Sequence, residues 1–382
     1  LARTFKGKGI EGIENEDNWH GKPVPIEKIT AIEACIVNKN GKGTLKLQPP
    51  LNDVKENVVE LGQIKMAAPN YKKGDKVATR AAYGTALAKL GDACSRVIGL
   101  DGDTKNSTFS EKLLKAHPEQ FIECFIAEQN LVGVAIGAGC RHRTIPFAST
   151  FAAFFTRATD QLRMGAVSFA NLKCAGSHVG VSIGEDGPSQ MALEDIAIFR
   201  SFPSSTVFYP TDAVAAERAT ELAANIHGIC FIRTGRPALP VLYDNDEKFE
   251  IGKGKVLRES EKDSVLLIGA GVTLYECLKA ADQLAAEGIH VAVIDPFTIK
   301  PIDKELITKH AKRVGGKVVT VEDHYPAGGI GETVSSALSD ETGVRVRSLC
   351  VTEVPRSGPP DALVEMFGIS ANCIVKAVKE FN

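Results

Sequence analysis

The fold prediction begins from the stretch Phe121-Ile-Glu-Cys-Phe-Ile-Ala-Glu-Gln-Asn130, in which a mostly apolar run is followed by the carboxylate of Glu128. A short apolar run such as 121–126 is typical of a strand buried in a parallel sheet. The following residues, Asn130 to Gly139, are mostly small and predict a helix packed closely on that sheet. Ligands of open α/β sheets bind at the carboxyl ends of strands. We therefore predict that Glu128 lies in a ligand crevice whose apolar walls favour its protonated form. A helix N-terminal Glu favoured by the helix dipole is the alternative.

The rest of the chain alternates strand-like and helical segments, which indicates an α/β fold with two doubly wound domains. Six runs predict the parallel sheet of the larger domain: 96–101, 121–126, 144–147, 172–176, 206–209 and 229–233. The helices predicted around them include 78–91, 110–117, 151–163, 189–200 and 212–225. A smaller domain with a mixed sheet follows, with strands predicted at 265–268, 291–294, 318–321 and 344–349.

Composition shifts divide the chain into three segments, 1–75, 76–240 and 241–382. The first is punctuated by prolines and has one plausible helix near 26–37, which indicates a domain remnant followed by a linker. The chain begins at Leu1 without a methionine, and its first ten residues resemble the last strand of an interrupted domain. We therefore expect the natural protein to be longer at this end.

Composition excludes several classes of function. The formal net charge of -2 gives no reason to expect nucleic acid or a membrane surface as a partner. No apolar run approaches the ~20 residues that span a bilayer, and the first residues show no signal-peptide pattern. The 9 cysteines are scattered singly, which predicts reduced thiols and a cytoplasmic location.

Several long segments in order resemble the transketolases, a family of enzymes that use thiamine diphosphate. Besides Glu123 to Asn130, they are Asp101–Thr108, Ser149–Phe155, Gly176–Gln190, Phe208–Asp212, Phe231–Pro237 and Asp295–Pro301. The resemblance implies that 76–240 is a pyrimidine-binding domain and 241–382 a transketolase C-terminal domain, with 1–75 left from a diphosphate-binding domain plus linker. It also implies a homodimer with the cofactor site at the subunit interface.

The resemblance implies a transferase that moves a two-carbon ketol group from a ketose phosphate, such as xylulose 5-phosphate, to an aldose phosphate in the pentose phosphate pathway. Glu128 matches the acid that engages the cofactor's pyrimidine. Phe154, with Phe151 beside it, matches the ring that stacks on the pyrimidine, and Gln190 matches a residue contacting the same heterocycle. From spacing alone, Phe151, Phe154 and Phe155 also fit a helical core stripe.

The sugar phosphate substrates implied by the resemblance require cations and directed donors. The matching positions are Arg80, Ser107, His178 and Arg236, and Asp186 matches the residue that recognises a sugar hydroxyl. His178 is also assigned a catalytic role with hydroxyl protons. On sequence alone, these residues also fit a solvated arginine, a structural histidine and a turn aspartate.

The N-terminal segment contributes His20 and Lys6. The resemblance implies that His20 lies near the cofactor diphosphate and the reacting carbon, binds substrate and, like His178, handles hydroxyl protons. Lys6 is implied to contact the cofactor. The family's metal motif is not found, so we assign no metal ligand in this chain. Mg²⁺ or another divalent cation is expected on the preceding domain. The missing motif motivates a second hypothesis, a catalytically incompetent dimerisation or interaction fragment. Two rival thiamine enzymes can carry a glutamate in the same role, a 2-oxo acid dehydrogenase β subunit and a deoxyxylulose phosphate synthase.

Three further features carry no functional assignment from sequence. Gly328-Gly-Ile-Gly331 does not satisfy G-x-G-x-x-G, so no dinucleotide site is predicted there. Arg141-His-Arg143 is interpreted as a solvated loop. The role of Glu322-Asp-His324 stays open between structural and regulatory.

Overall fold

The computed structural model of the chain describes residues 5, 7–17, 19, 23–37 and 58–381. The chain forms two compact units, Leu1–Glu56 and Asn57–Asn382. In the first unit, a 3-10 turn at Ile26–Lys28 leads into helix α1 (Ile29–Val37), so the predicted helix near 26–37 is confirmed. Among the described residues, no helix combines the length and apolar character that a membrane crossing needs.

The strands of the second unit agree closely with the predicted runs. They are β1 (Lys76–Ala78), β2 (Val97–Asp101), β3 (Phe121–Glu123), β4 (Ile145–Phe151), β5 (Leu172–Ser177), β6 (Thr206–Phe208), β7 (Ile229–Arg233), β8 (Ala238–Pro240), β9 (Lys255–Arg258), β10 (Asp263–Gly269), β11 (His290–Asp295), β12 (Thr298–Lys300), β13 (Lys317–Val321) and β14 (Arg345–Leu349).

The helices lie between these strands, as expected of a doubly wound fold. They are α2 (Thr79–Ala93), α3 (Lys105–Thr108), α4 (Glu111–Ala116), α5 (Glu128–Gly139), α6 (Thr159–Val167), α7 (Asp195–Ser201), α8 (Ala213–Ala224), α9 (Val272–Ala286), α10 (Lys304–Arg313), α11 (Ile330–Ala337), α12 (Pro360–Met366) and α13 (Ala371–Phe381). Three 3-10 segments, Pro118–Gln120, Ala152–Ala158 and Val181–Asp186, complete the unit.

The larger sheet contains the six predicted parallel strands and one more. Its order is β12-β6-β7-β5-β4-β2-β3, and β12 pairs antiparallel with β6. The fold prediction is therefore confirmed with one correction, because the sheet has seven strands rather than six. The extra strand comes from the chain beyond residue 241, which sequence periodicity could not assign to this sheet.

The second sheet is mixed, as predicted. Its order is β14-β13-β10-β11-β9, with β9 antiparallel to β11 and the other pairs parallel. β1 and β8 pair antiparallel and form a separate two-stranded sheet. They come just before and just after the part of the chain that contains β2 to β7. The predicted domain boundaries at 75/76 and 240/241 stay predictions.

One buried core runs through both sheets. Phe199 and Phe231 of the first sheet's layers belong to the same apolar cluster as Ile268 and Ile294 of the second sheet. The rings of Phe199 and Phe231 stack at 4.0 Å, and all four side chains are buried. The two sheets are therefore parts of one packed body.

The topology fixes where a ligand would bind. From β2 the chain continues to β3 on one side, and the next strand, β4, is added on the other side of β2. The order in which successive strands are added to the sheet therefore reverses between β2 and β4. A ligand crevice is expected outside the carboxyl ends of the strands at such a reversal. The carboxyl ends of β2 and β4 are Asp101 and Phe151.

Three predicted elements are corrected by the structure. The strand predicted at 121–126 ends at Glu123, and the helix that follows begins at Glu128, so this residue lies in a helical first turn. The helix predicted at 151–163 is instead the end of β4, a 3-10 segment and α6. The helix predicted from 189 begins only at Asp195. In each case a turn interrupts an apolar pattern that periodicity alone treats as continuous.

Candidate active site

The predicted site residues of the second unit follow the carboxyl ends of successive strands. Glu128 begins the helix after β3, and Phe151 ends β4. His178 comes directly after β5, and Arg236 follows β7 by three residues. Because these strands are parallel neighbours, their carboxyl ends share one edge of the sheet. The structure therefore brings these four predicted residues to the same edge of the sheet.

Glu128 is held at the N-terminus of α5. Its side chain is only 5% exposed, and the helix dipole favours a negative group at this position. One carboxylate oxygen accepts a hydrogen bond from the Arg157 guanidinium. The two residues line an open cleft of about 300 Å³ with Ala127, Gln129 and Asn130. The predicted apolar surroundings are therefore corrected, because a cation lies against this carboxylate.

Four flat groups form a stack that leads away from Glu128. The Arg157 guanidinium lies 4.2 Å above the Phe154 ring, and the Phe154 and Phe151 rings stack at 5.1 Å. The Phe151 ring in turn stacks on the His178 imidazole at 3.8 Å and 21°. Phe155, by contrast, is completely buried in the core. The Phe151 and Phe154 rings therefore lie side by side, although on a strand end and a 3-10 turn rather than on one helix.

The far end of this stack is rich in cations. Arg80 Nη1 lies 3.4 Å from His178 Nε2 and donates to the Ser107 carbonyl at 2.8 Å. Arg236 Nη1 lies 3.4 Å from Asp186 Oδ2, and the same Asp186 oxygen is 3.8 Å from His178 Nε2. The five described residues that were predicted to bind the sugar phosphate therefore form one cluster.

Electrostatics in this cluster favour an anion. Burial lowers the pKa of Arg80, and the neighbouring Arg236 charge lowers it further, while Asp186 opposes the shift. Two guanidinium groups that repel each other are stabilised by a negative group placed between them. Planar arginine forks match phosphate oxygens in geometry as well as in charge.

His178 is constrained in conformation and in charge. Its backbone has φ +59°, in the left-handed region, and its Nδ1 lies 3.0 Å from Ser177 Oγ. Burial lowers the pKa of His178 to about 3, and the charges of Arg80 and Arg236 add to the shift. The imidazole is therefore neutral at physiological pH.

We expect the His178 imidazole to titrate near pH 3, followed by its ring proton resonances in NMR. Because the folded pKa lies below the unfolded value of about 6.5, this group stabilises the fold above pH 6.5. That stability is lost as pH falls from about 6.5 toward 3. Inorganic phosphate should raise the pKa by offsetting the two arginine charges. Titration near pH 6.5 with no response to phosphate would contradict this cluster.

A buried carboxylate shapes the loop beside the cluster. Asp101 at the end of β2 accepts hydrogen bonds from Thr104 N at 2.6 Å, Thr108 Oγ1 at 2.7 Å and Ser110 Oγ at 2.8 Å. Burial raises the pKa of Asp101 and these hydrogen bonds partly offset the increase, so that its pKa is about 6. The Asp101 oxygens therefore stabilise the loop whose Ser107 carbonyl accepts from Arg80.

The remaining predicted site residues are Gln190, Lys6 and His20. Gln190 lies in a turn, where its backbone N–H bonds to the Gly187 carbonyl at 3.1 Å rather than opening a helix. Lys6 and His20 lie outside the described residues. Within the described ranges, no group of three or more His, Cys, Asp or Glu side chains is arranged to hold a metal ion.

Sequence reasoning missed Arg157, which contacts both Glu128 and Phe154. The only signal was its position three residues after Phe154. An arginine on a surface turn has no distinguishing pattern, and its partner lies 29 residues away in sequence.

The fold and this site define an α/β protein with a ligand crevice at the switch point of a parallel sheet. Comparison with known proteins identifies the family of α/β proteins to which the chain belongs. The family profile "Transketolase, pyrimidine binding domain" matches residues 75–241, and "Transketolase, C-terminal domain" matches residues 252–374.

Relatives agree with these matches. The transketolase of Rattus norvegicus is 58% identical over 381 residues, which cover 99% of this chain and 61% of the relative. Transketolase-like protein 2 of Mus musculus is 57% identical, over 100% of this chain and 61% of its own length. A solved structure, the inactive beta4 tetramer of a split gene transketolase, is 40% identical with a TM-score of 0.72. The match covers 80% of this chain and 98% of that one.

The chain belongs to the transketolase family. It spans about three fifths of the length of the curated relatives described above, since it covers 61% of each. The resemblance predicted from sequence is therefore confirmed, and the family implies dependence on thiamine diphosphate.

The residues present fit the pyrimidine half of that cofactor. The contacts of Arg157 support this, because its flat guanidinium donates to Glu128 and covers the face of Phe154 at 4.2 Å. In place of Arg157, a flat heterocycle could stack on the same ring face and accept a hydrogen bond at a ring nitrogen from the protonated Glu128 carboxyl group. The residues therefore provide a carboxyl group and an aromatic face for a pyrimidine.

Proposed function

We propose that this chain supplies the pyrimidine-binding and substrate-binding half of a transketolase site, in which a two-carbon ketol group passes from a ketose phosphate to an aldose phosphate. The observation that supports this most is the continuous stack from Arg157 to His178. It joins a buried carboxyl group at one end to a cationic cluster at the other. The two ends suit a cofactor and a phosphorylated substrate.

Each group has a part in this proposal. Thiamine diphosphate, when bound, supplies the carbon nucleophile for carbonyl chemistry. Glu128 holds or releases a proton at its carboxyl oxygen toward the pyrimidine, and Phe154 orients the ring and excludes water. Arg80 and Arg236 bind the substrate phosphate. His178, which is neutral, donates or accepts a hydrogen bond at a hydroxyl, and Asp186 selects the hydroxyl configuration.

A homodimer with the site at its interface is part of the proposal. Beside Glu128, Phe125 is 68% and Ile126 is 74% exposed, and Val134 on α5 is also exposed. A side chain added at Gly133 or Gly137 on α5 would meet no atom within 4 Å. Exposed apolar patches of this kind mark protein interfaces. We propose a second copy as the occupant, with sugar phosphates as the small-molecule partners.

The cofactor diphosphate and a divalent cation such as Mg²⁺ need ligands from elsewhere. We propose that they are bound by residues that the structure does not describe, or by a preceding domain. Lys6 and His20 are proposed to contribute to the cofactor and substrate sites.

Calorimetric titration with thiamine diphosphate and Mg²⁺, together with turnover of xylulose 5-phosphate and ribose 5-phosphate, tests the function. Binding and transfer are expected once a diphosphate-binding domain is supplied. Turnover of pyruvate in place of the sugar phosphates would favour the rival thiamine enzymes. The same assays can be run on the bare chain as a control.

A catalytically incompetent interaction protein is the second candidate. It is favoured by the similar split gene transketolase, whose tetramer of this portion is described as inactive. Absence of cofactor binding and turnover even with the diphosphate-binding domain present would favour it. A full rate in that mixture would exclude it.

We expect Arg236→Ala to raise KM for phosphorylated sugars by about tenfold or more, because a charge-assisted phosphate contact is lost. The turnover number should change little. KM for unphosphorylated analogues should stay within about twofold of wild type, since they lack the phosphate. Arg258→Ala is the matched control, because Arg258 is an exposed arginine paired with Asp282. Equal losses with both kinds of sugar would contradict a phosphate contact.

A further inference from the structure

Strand β13 is followed by Glu322-Asp-His324, three ionisable residues that are completely buried. The Asp323 carboxylate accepts hydrogen bonds from the backbone N–H groups of Val181 at 2.7 Å and Ser182 at 3.2 Å. These two residues begin the 3-10 segment that ends at Asp186. A carboxylate of the second sheet therefore holds a segment that belongs to the substrate cluster.

The held segment, residues 177–187, has an unusual backbone. His178, Gly180, Gly184 and Gly187 have φ values of +59°, +75°, +79° and +80°. The glycines adopt this region freely, whereas His178 does so at a steric cost. Such a conformation persists only where surrounding contacts hold it in place.

The second half of the chain approaches this segment at three points. A side-chain carbon added at Gly180 would lie 2.0 Å from Asp323 Oδ2. One added at Gly184 would lie 2.8 Å from Pro360 Cγ, and one at Gly187 would lie 2.4 Å from Ser357 Oγ. The backbone therefore packs directly on residues 323 and 357–360, with no room for side chains between them.

Arg233 fixes Asp323 in turn. Its guanidinium Nη2 donates to the Asp323 carbonyl at 3.0 Å and to the Ala192 carbonyl at 3.2 Å. Ala192 bonds to both sides of the segment's first turn, because its carbonyl accepts from Gly180 N at 2.8 Å and its N–H donates to the His178 carbonyl at 3.2 Å. Asp323 thus stands in one hydrogen-bonded unit with His178.

We propose that Asp323 is a positioning residue for substrate binding, which holds residues 177–187 so that His178 and Asp186 face the cationic cluster. This inference rests on the proposed function for its substrate class. It gives the C-terminal portion a part in substrate recognition without any contact to the substrate. Asp323 acts through Val181 and Ser182, whose backbone N–H groups it accepts from.

The test compares Asp323→Asn with Glu322→Gln. The first change places an amide donor against one of two backbone N–H groups. Glu322 is the matched control, since it is equally buried and also accepts from two backbone N–H groups, those of Ile330 and Gly331. Those groups belong to α11 rather than to the substrate segment. Both variants should lose similar thermal stability.

Two measurements are made on the full chain together with its diphosphate-binding domain. Calorimetry should show that Asp323→Asn weakens ribose 5-phosphate binding by about tenfold, as expected when a hydrogen bond that orients the site is lost. Glu322→Gln should stay within about twofold. Amide hydrogen exchange should accelerate selectively across 178–187 in Asp323→Asn, while 172–176 in β5 stays protected.

The outcomes separate the inference from the proposed function. Wild-type affinity in Asp323→Asn would overturn the positioning role and leave the proposed function standing. Equal losses of affinity in both variants would also overturn it, because they would reflect general destabilisation. If wild type binds no ribose 5-phosphate, the proposed substrate class is wrong. In that case amide hydrogen exchange alone tests whether Asp323 holds the segment. Faster exchange confined to 178–187 would support the positioning role, and a uniform change across the chain would contradict it.

Discussion

Replacing Glu128 by glutamine is expected to lower ketol-transfer turnover of the assembled enzyme by about 10²–10⁴-fold, the usual contribution of a general acid–base group. Glutamine keeps the size of the side chain and can still form hydrogen bonds, but it cannot exchange a proton with a heterocyclic nitrogen. The fold should be unaffected, because Glu128 lies at a helix end beside an open cleft. The loss should appear in the turnover number rather than in KM for the sugar phosphates.

The measurement is steady-state turnover with xylulose 5-phosphate and ribose 5-phosphate, with circular dichroism as a check on folding. Glu111→Gln is the matched control, since Glu111 also occupies a helical first turn and pairs on the surface with Lys115 at 2.9 Å. A Glu128→Gln enzyme with a rate near that of Glu111→Gln would remove Glu128 from its proposed role.

Replacing Asp195 by alanine is expected to lower the free energy of unfolding by about 3–5 kcal/mol, the cost of leaving a buried charge without its partner. Asp195 accepts from Arg233 Nε at 2.7 Å and from Nη2 at 3.0 Å, and both side chains are buried. Burial lowers the pKa of Arg233, but Asp195, Tyr209 and Asp323 together raise it above its ordinary value, so the guanidinium stays charged. Losing Asp195 leaves that charge in the core.

Urea unfolding of wild type and of the Asp195→Ala and Arg233→Met variants measures this effect. The double variant Asp195→Leu/Arg233→Met should be more stable than either single variant, because the guanidinium and the carboxylate that it pairs with are removed together. Asp282→Ala is the control, since its pair with Arg258 is exposed and should contribute at most about 1 kcal/mol. A loss for Asp195→Ala no larger than the control would mean that the buried pair is not the source of stability.

Most of the fold could be predicted because its strands are short apolar runs bounded by turn residues. The run 229–233 is identical to β7, and the helix predicted at 212–225 differs from α8 only by its caps. Asp212 explains that precision, since its carboxylate caps α8 by accepting from Ala215 N at 2.8 Å. Local chemistry of this kind can be seen in sequence.

The errors occurred where tertiary contacts override local pattern. Phe151, Phe154 and Phe155 have helical spacing, but β4 continues through Phe151 because it pairs in register with β5 up to Ser177. β12 could not be assigned to the larger sheet, because strand partners far apart in sequence leave no trace in periodicity.

The residues of the candidate site could be predicted where they follow strand ends and match a family motif. Contacts between charged or polar groups far apart in sequence could not be predicted. Arg157 reaches Glu128 from a turn after another strand, and Asp323 reaches Val181 from 142 residues away. Neither residue has a neighbour in sequence that indicates its partner.

The antiparallel strand β12 has a consequence for how this protein can be divided. It covers the outer edge of β6, although it belongs to the chain after β11. Cutting the polypeptide between the two sheets would strip that cover and leave a row of unsatisfied backbone groups open to pairing with other molecules. A piece of the chain that ends before β12 is therefore expected to aggregate more readily than the whole chain.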